Sequence, residues 1–289
     1  MKLDSLHHAN IANGETITYR IREGGDDIIV LIHGNMTSSK HWDLLMENLD
    51  ERFTIYAVDL RGFGGSTYEQ RITSIKDFSD DVKAWIDHLQ IEQFTLVGWS
   101  TGGNVAMQLC ADYPHLAKNL ILFASGSTRG FPFLNPLQMR VSTIEEIEQD
   151  LIKTIPMQMM YAAENREGFR LVWNSSIYTH NQPEADRYEL YLDDMLTQRN
   201  LVDVYHALNT FNISKHSDEV TKGTNGVANI QIPTLILYGD RDLVVTKNMT
   251  EEIIEDFEGR AKVVELKDCG HSPLVDALDE VLKEIEAFA

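Results

Sequence analysis

The run Ile28-Ile29-Val30-Leu31-Ile32 is apolar at every position rather than at alternate ones, the pattern of a strand covered on both faces and hence of a parallel sheet. Similar runs recur at Thr54 to Val58, Phe94 to Val97, Leu120 to Phe123 and Leu235 to Tyr238, with a further strand expected at Lys262 to Leu266. Helical patterns separate several of them. Phe78, Val82, Trp85, Ile86 and Leu89 fall on one helix face, and Ser74 and Asp77 are spaced like a capping box at its start. Another helix is expected to open at Ser272-Pro273 and to carry Leu274, Leu278, Val281, Leu282, Ile285 and Phe288 on one stripe, closing the fold. The first 25 residues read differently. Alternation over Thr16 to Ile21 and an Asn13-Gly14 turn signal predict an antiparallel hairpin at the sheet edge.

Strand alternating with helix through short connections implies a right-handed, mostly parallel α/β sheet flanked by helices, with ligands bound outside the carboxyl ends of the strands. Between Ser127 and Asn229 the pattern changes. No buried-strand run occurs there, several helical segments are plausible, and Met157, Met159, Met160 and Met195 cluster with aromatics. We read residues 1–126 and 230–289 as one α/β core domain and residues 127–229 as a helical cap, or lid, that leaves the sheet after one strand and rejoins it at Pro233. Any single methionine of the cap is expected in its core, with a few lining an acyl pocket.

Composition narrows the classes of function. A chain of 289 residues with 43% hydrophobic content suits one α/β domain with an insertion. The 45 Asp+Glu against 25 Lys+Arg give a net charge of −20, which opposes any mechanism that neutralises phosphates, so nucleic acid is not an expected partner. No run approaches the roughly eighteen apolar residues of a membrane span, and the start, MKLDSLHHANIANG, lacks the apolar core of a signal peptide. A cytoplasmic location is expected. Cys110 and Cys269 cannot build a disulfide framework, and no Cys or His spacing suggests a metal site, so neither metal nor cofactor is expected.

The segment Phe94-Thr-Leu-Val-Gly98-Trp99-Ser100-Thr101-Gly102-Gly103 is a buried strand followed by G-x-S-x-G and then by the helical run Asn104 to Ala111. That is the context of a nucleophile elbow, in which small residues let strand and helix approach while the serine adopts a strained backbone. A serine hydroxyl needs a base to take its proton, and the base needs an orienting acid. Both follow in the chain. Gly239-Asp240-Arg241-Asp242 ends a strand, and Cys269-Gly270-His271-Ser272-Pro273 forms a later turn between strand and helix.

With Leu31-Ile-His33-Gly34-Asn35 after one strand and Asp59-Leu-Arg61-Gly62-Phe63-Gly64-Gly65-Ser66 after the next, these motifs resemble the α/β-hydrolase fold superfamily over nearly the whole length, the cap excepted. The resemblance implies a catalytic triad of Ser100, Asp242 and His271, with Asp240 as the alternative acid. It also implies an oxyanion hole formed by the backbone amides of Asn35 and Thr101. Relatives with the acid after the sixth strand are not matched, since Ala124-Ser-Gly-Ser-Thr-Arg-Gly carries none there. Nor are the aspartate nucleophiles of epoxide hydrolases and haloalkane dehalogenases. Asn35-Met36-Thr37 departs from the Gly-Gly-Gly form of many lipases, which argues against bulky tertiary-alcohol esters. His33 is expected to be structural.

The expected activity is that of a carboxylesterase-like serine hydrolase acting on a small, neutral or apolar carboxylic ester or lactone. Thioesterase, carbon–carbon hydrolase, amidase, acyltransferase and cofactor-free perhydrolase chemistries share such a triad, and a slow or non-catalytic ligand-binding protein on the same scaffold is the reading from another class. Oligomeric state is not legible.

Overall fold

The computed structural model describes residues 5–289; residues 1–4, the start of the stretch read above for a leader, lie outside the described residues. Strands β1 (His7–Asn10) and β2 (Thr16–Arg22) form the expected hairpin, with Ala9 opposite Ile17. There follow β3 (Asp27–Ile32), α1 (Asp43–Asn48), β4 (Phe53–Val58), α2 (Ile75–Leu89), β5 (Phe94–Trp99), α3 (Thr101–Asp112) and β6 (Ala117–Phe123). The chain then runs through α4 (Ile144–Glu148), α5 (Thr154–Ala162), α6 (Arg166–Ser176), α7 (Ala185–Met195) and α8 (Leu201–Thr210). It re-enters the sheet as β7 (Thr234–Gly239) and ends with α9 (Lys247–Asp256), β8 (Ala261–Leu266), α10 (Pro273–Asp276) and α11 (Leu278–Phe288).

The strands lie in the order β1-β2-β4-β3-β5-β6-β7-β8. The pairing of β2 with β4 is antiparallel, and every pairing from β4 to β8 is parallel. Burial on both faces explains the unbroken apolar runs. Val30 and Ile32 pack into one core with Phe78, Val82 and Trp85 of α2, whereas Ile29 and Leu31 pack into the other with Trp42, Leu45 and Met46 around α1. Each such side chain gains roughly 1.5–3 kcal/mol on leaving water.

From β3 the sheet grows one way to β4 and the other way to β5, so the strand order reverses there. The loops leaving two such strands diverge and open a crevice at their carboxyl ends. Those loops begin at His33 and Ser100.

One expectation is corrected. The stripe from Ser272 to Phe288 is two helices, not one, because Ala277 breaks helical geometry at φ −142°, ψ 39°. The preceding turn is drawn aside by Asp276, whose carboxylate accepts from the amides of Gly270 (2.8 Å) and Asn181 (3.1 Å). Among the described residues no helix is long and apolar enough to cross a membrane.

Candidate active site

Ser100 is the residue between β5 and α3, held at φ 53°, ψ −119°. The close approach that forces this turn is visible at Gly102, where a Cβ would come within 2.2 Å of the Ile32 carbonyl oxygen. Gly34 abuts the serine from the other loop, and a Cβ there would lie 3.1 Å from that of Ser100.

His271 comes to Ser100 from the turn after β8. Its Nε2 lies 3.0 Å from Ser100 Oγ and its Nδ1 2.8 Å from Asp242 Oδ2. The other Asp242 oxygen accepts from the amides of Val244 (2.8 Å) and Val245 (2.9 Å), which fixes the carboxylate plane. A carboxylate at Nδ1 keeps the ring proton on that nitrogen and turns the Nε2 lone pair toward the hydroxyl. Both side chains are nearly closed to solvent, at 4% for His271 and 3% for Asp242. Trp99, beside the serine, donates from Nε1 to the His271 carbonyl (3.0 Å) and so ties the elbow to the histidine turn. Asp240 turns elsewhere. Its Oδ1 accepts from the Cys269 amide (3.2 Å), so Asp242 is the acid that meets His271.

The loop after β3 is built around a buried neutral imidazole. His33 Nε2 accepts from the Leu60 amide (2.9 Å), which leaves Nδ1 to donate to the Gly34 carbonyl (2.7 Å). Burial pushes the His33 pKa below the ordinary histidine value against the opposing pull of Asp59. Thr37 Oγ1 donates to the same Gly34 carbonyl (2.9 Å), and Met36 sits in the left-handed region at φ 61°. Among the described residues no acceptor takes the backbone amide of Asn35 or of Thr101. The Asp59 to Ser66 motif supports this loop from behind. Asp59 accepts from the Ser39 amide (2.8 Å) and Thr18 Oγ1 (2.6 Å), and Arg61 grips Asp81 with two bonds of 2.6 Å.

Over Ser100 opens a cavity of about 740 Å³, within the range of small-molecule sites. Asn35, Met36 and Thr101 line its floor; Phe131, Phe133, Met157, Met160, Trp173 and Ile177 line it from the segment between β6 and β7; Leu243 and Val244 close one side. Of the methionines singled out above, Met157 and Met160 therefore border the cavity, Met195 is fully buried and Met159 is 67% exposed.

Contacts that join this segment to the core had no signal in the sequence. Tyr191 and Arg187 of α7 both bond Asp43, and Arg187 also reaches Glu47 (2.7 Å). Asp194 accepts from Ser38 Oγ (2.6 Å) and lies 3.3 Å from His41 Nε2. Burial opposes the charge on Asp194, but His41 and Ser38 outweigh it and hold the carboxyl below its usual range. His216, Glu255 and Asp256 also converge, with possible ligand atoms within 4.8 Å of one another. Arg129 already donates to both carboxylates (2.6 and 3.0 Å). Cys110 and Cys269 are free and buried, and burial pushes the Cys110 thiol up to about 12.

A family model for the alpha/beta hydrolase fold matches residues 27–278. An uncharacterized protein of Mycobacterium tuberculosis is 37% identical over 103 residues, which cover 36% of this chain and 30% of that protein. The chain thus spans less than a third of the length of the first curated relatives it matches. A cis-3-alkyl-4-alkyloxetan-2-one decarboxylase of Shewanella oneidensis is 26% identical, covering 99% of this chain and 90% of its own. A pimeloyl-[acyl-carrier protein] methyl ester esterase of Aliivibrio fischeri is 24% identical over 94% and 97%. Among solved structures, a hydrolase from Pseudomonas aeruginosa superposes with a TM-score of 0.76 at 20% identity, covering 99% of this chain and 98% of that one. At that identity the likeness is one of fold.

Proposed function

The chain belongs to the alpha/beta hydrolase fold family, and on that premise we propose that it is a serine hydrolase cleaving a small, neutral or apolar carboxylic ester or lactone through an acyl-serine intermediate. The observation that carries this reading is the hydrogen-bonded series Asp242, His271, Ser100, whose serine borders a largely apolar cavity. Two full-length relatives support the substrate class by their names, one a methyl ester esterase and the other acting on an oxetan-2-one, a four-membered lactone.

In this mechanism His271 takes the Ser100 proton as Oγ attacks the carbonyl carbon. The oxyanion forms between the amides of Asn35 and Thr101, with the N-terminus of α3 adding a favourable dipole. Such donors contribute about 3 kcal/mol each. His271 returns the proton to the departing alkoxide, then activates the water that releases the acid from Ser100, while Asp242 stabilises the imidazolium. Residues 127–229 act as the cap that excludes water, and the mechanism uses no cofactor. A cytoplasmic location, in keeping with two reduced buried cysteines, is part of the same reading.

Intact-mass spectrometry after fluorophosphonate treatment tests it. One adduct on wild type and none on Ser100→Ala is expected, together with Ser100-dependent turnover within a panel of p-nitrophenyl esters. No adduct on folded wild type at neutral pH would sink the proposal in favour of a ligand-binding protein on this scaffold.

A further inference from the structure

Asn35 brings to the cavity a carboxamide as well as a backbone amide, and a chain of hydrogen bonds fixes which way that carboxamide points. The Arg61 carbonyl can only accept, so its 2.7 Å partner on Asn200 is Nδ2. Asn200 therefore presents Oδ1 to Gln198 at 3.0 Å, which makes that end of Gln198 the Nε2 donor. The same Nε2 lies 2.8 Å from Asn35, whose atom there must then be Oδ1. Tyr161 agrees with this sense, its hydroxyl donating to Gln198 Oε1 at 2.9 Å. Gln198 and Asn200 are buried, at 6% and 2% exposure, so solvent does not compete for the arrangement.

With Oδ1 occupied, the Asn35 Nδ2 group has no partner among the described residues, and it is not among the buried atoms closed to solvent. Asn35 and Ser100 border the same cavity. An ester of an apolar acid and alcohol offers only its own two oxygens as acceptors, both at the scissile group. A donor in this cavity can serve such a substrate only there.

We propose that the Asn35 side-chain amide is a catalytic donor to the carbonyl oxygen as it gains charge, and that Gln198 and Asn200 are positioning residues that hold its N–H₂ end toward the substrate. The proposal rests on the serine-hydrolase reading. It also makes the donor depend on the segment between β6 and β7, since Gln198 follows α7 and Tyr161 lies in the last turn of α5.

Both Asn35→Ala and Asn35→Asp keep the backbone amide, and the second also keeps the shape. Steady-state kinetics on a neutral p-nitrophenyl ester should show kcat at least about 10-fold lower in each, with KM within about two-fold, as for loss of a donor used mainly in the transition state. Asn35→Asp should be the worse, because it puts a carboxylate oxygen where the donor stood. Gln198→Glu should turn the Asn35 amide end over and lower kcat in the native background, yet add no further loss of kcat in the Asn35→Ala background, an outcome that general loosening of the loop would not give. Serine-dependent wild-type turnover with kcat unchanged in folded Asn35→Ala and Asn35→Asp overturns this inference and leaves the proposed function standing. Absence of Ser100-dependent turnover in wild type overturns both.

Discussion

Ser100 occupies a region of backbone space that costs a residue with a side chain on the order of 1–3 kcal/mol, and the surrounding sheet and helix hold it there. What that position gains is a hydroxyl presented to His271 while the backbone amide of Thr101 stays uncommitted. The neighbouring acid is then testable without disturbing shape. Asp242→Asn offers Nδ1 of His271 a group that can donate, so the ring can settle in the wrong tautomer. Turnover is expected to fall by about 10⁴-fold with the melting temperature little changed. His33 makes a different prediction. Buried neutral, it takes a proton in the folded state only at lower pH than when unfolded, where its value is near 6.5. Between those values the unfolded chain binds the extra proton, so the His33 contribution is complete above about pH 6.5 and is lost as the pH falls below it. Urea unfolding at pH 7, 6 and 5 should show a decline that is shallower in His33→Gln. Equal slopes would show that His33 does not carry the decline.

Among the elements, α2 depends on its first turn. Asp77 accepts from the backbone amides of Thr73 (2.7 Å) and Ser74 (3.0 Å), and these bonds outweigh the effect of burial to hold its carboxyl below the usual value. Asp77→Ala should cost about 1 kcal/mol in denaturant unfolding, as loss of a helix cap does. This element was legible because its apolar stripe and its cap are both local. The strands were legible for a similar reason, since two-sided burial leaves no polar position in Ile28 to Ile32 and only the buried Thr95 in Phe94 to Val97. The break at Ala277 was not. Alanine is a good helix former and the stripe continues across it, whereas the cause lies in bonds from Asp276 to Gly270 and to Asn181, the latter 95 residues distant.

At the scale of the whole molecule, the three residues of the candidate triad could be read from motifs because each lies in a short turn with its own local signature. What seats the segment between β6 and β7 could not. Asp43 meets Tyr191 across 148 residues and Asn35 meets Gln198 across 163, and neither pair carries any periodicity. Charge acts over the same range. A net −20 repels itself and any anion approaching the cavity, both effects being screened beyond roughly 10 Å at 0.1 M salt. Raising sodium chloride from about 10 mM to about 300 mM should therefore raise kcat/KM for an ester bearing a carboxylate while leaving that of an uncharged ester nearly flat. Equal responses would show that net charge does not govern access.

The bond between Trp99 and the His271 carbonyl also sets a timetable for synthesis. Ser100 leaves the ribosome 171 residues ahead of the imidazole that lies against it. Until the turn after β8 emerges and docks under the indole, a nascent chain holds Ser100 without the imidazole that lies against it. Under the proposed mechanism, reactivity at this serine would thus appear only once the turn after β8 has been made, when the segment between β6 and β7 that borders the cavity has already been synthesised.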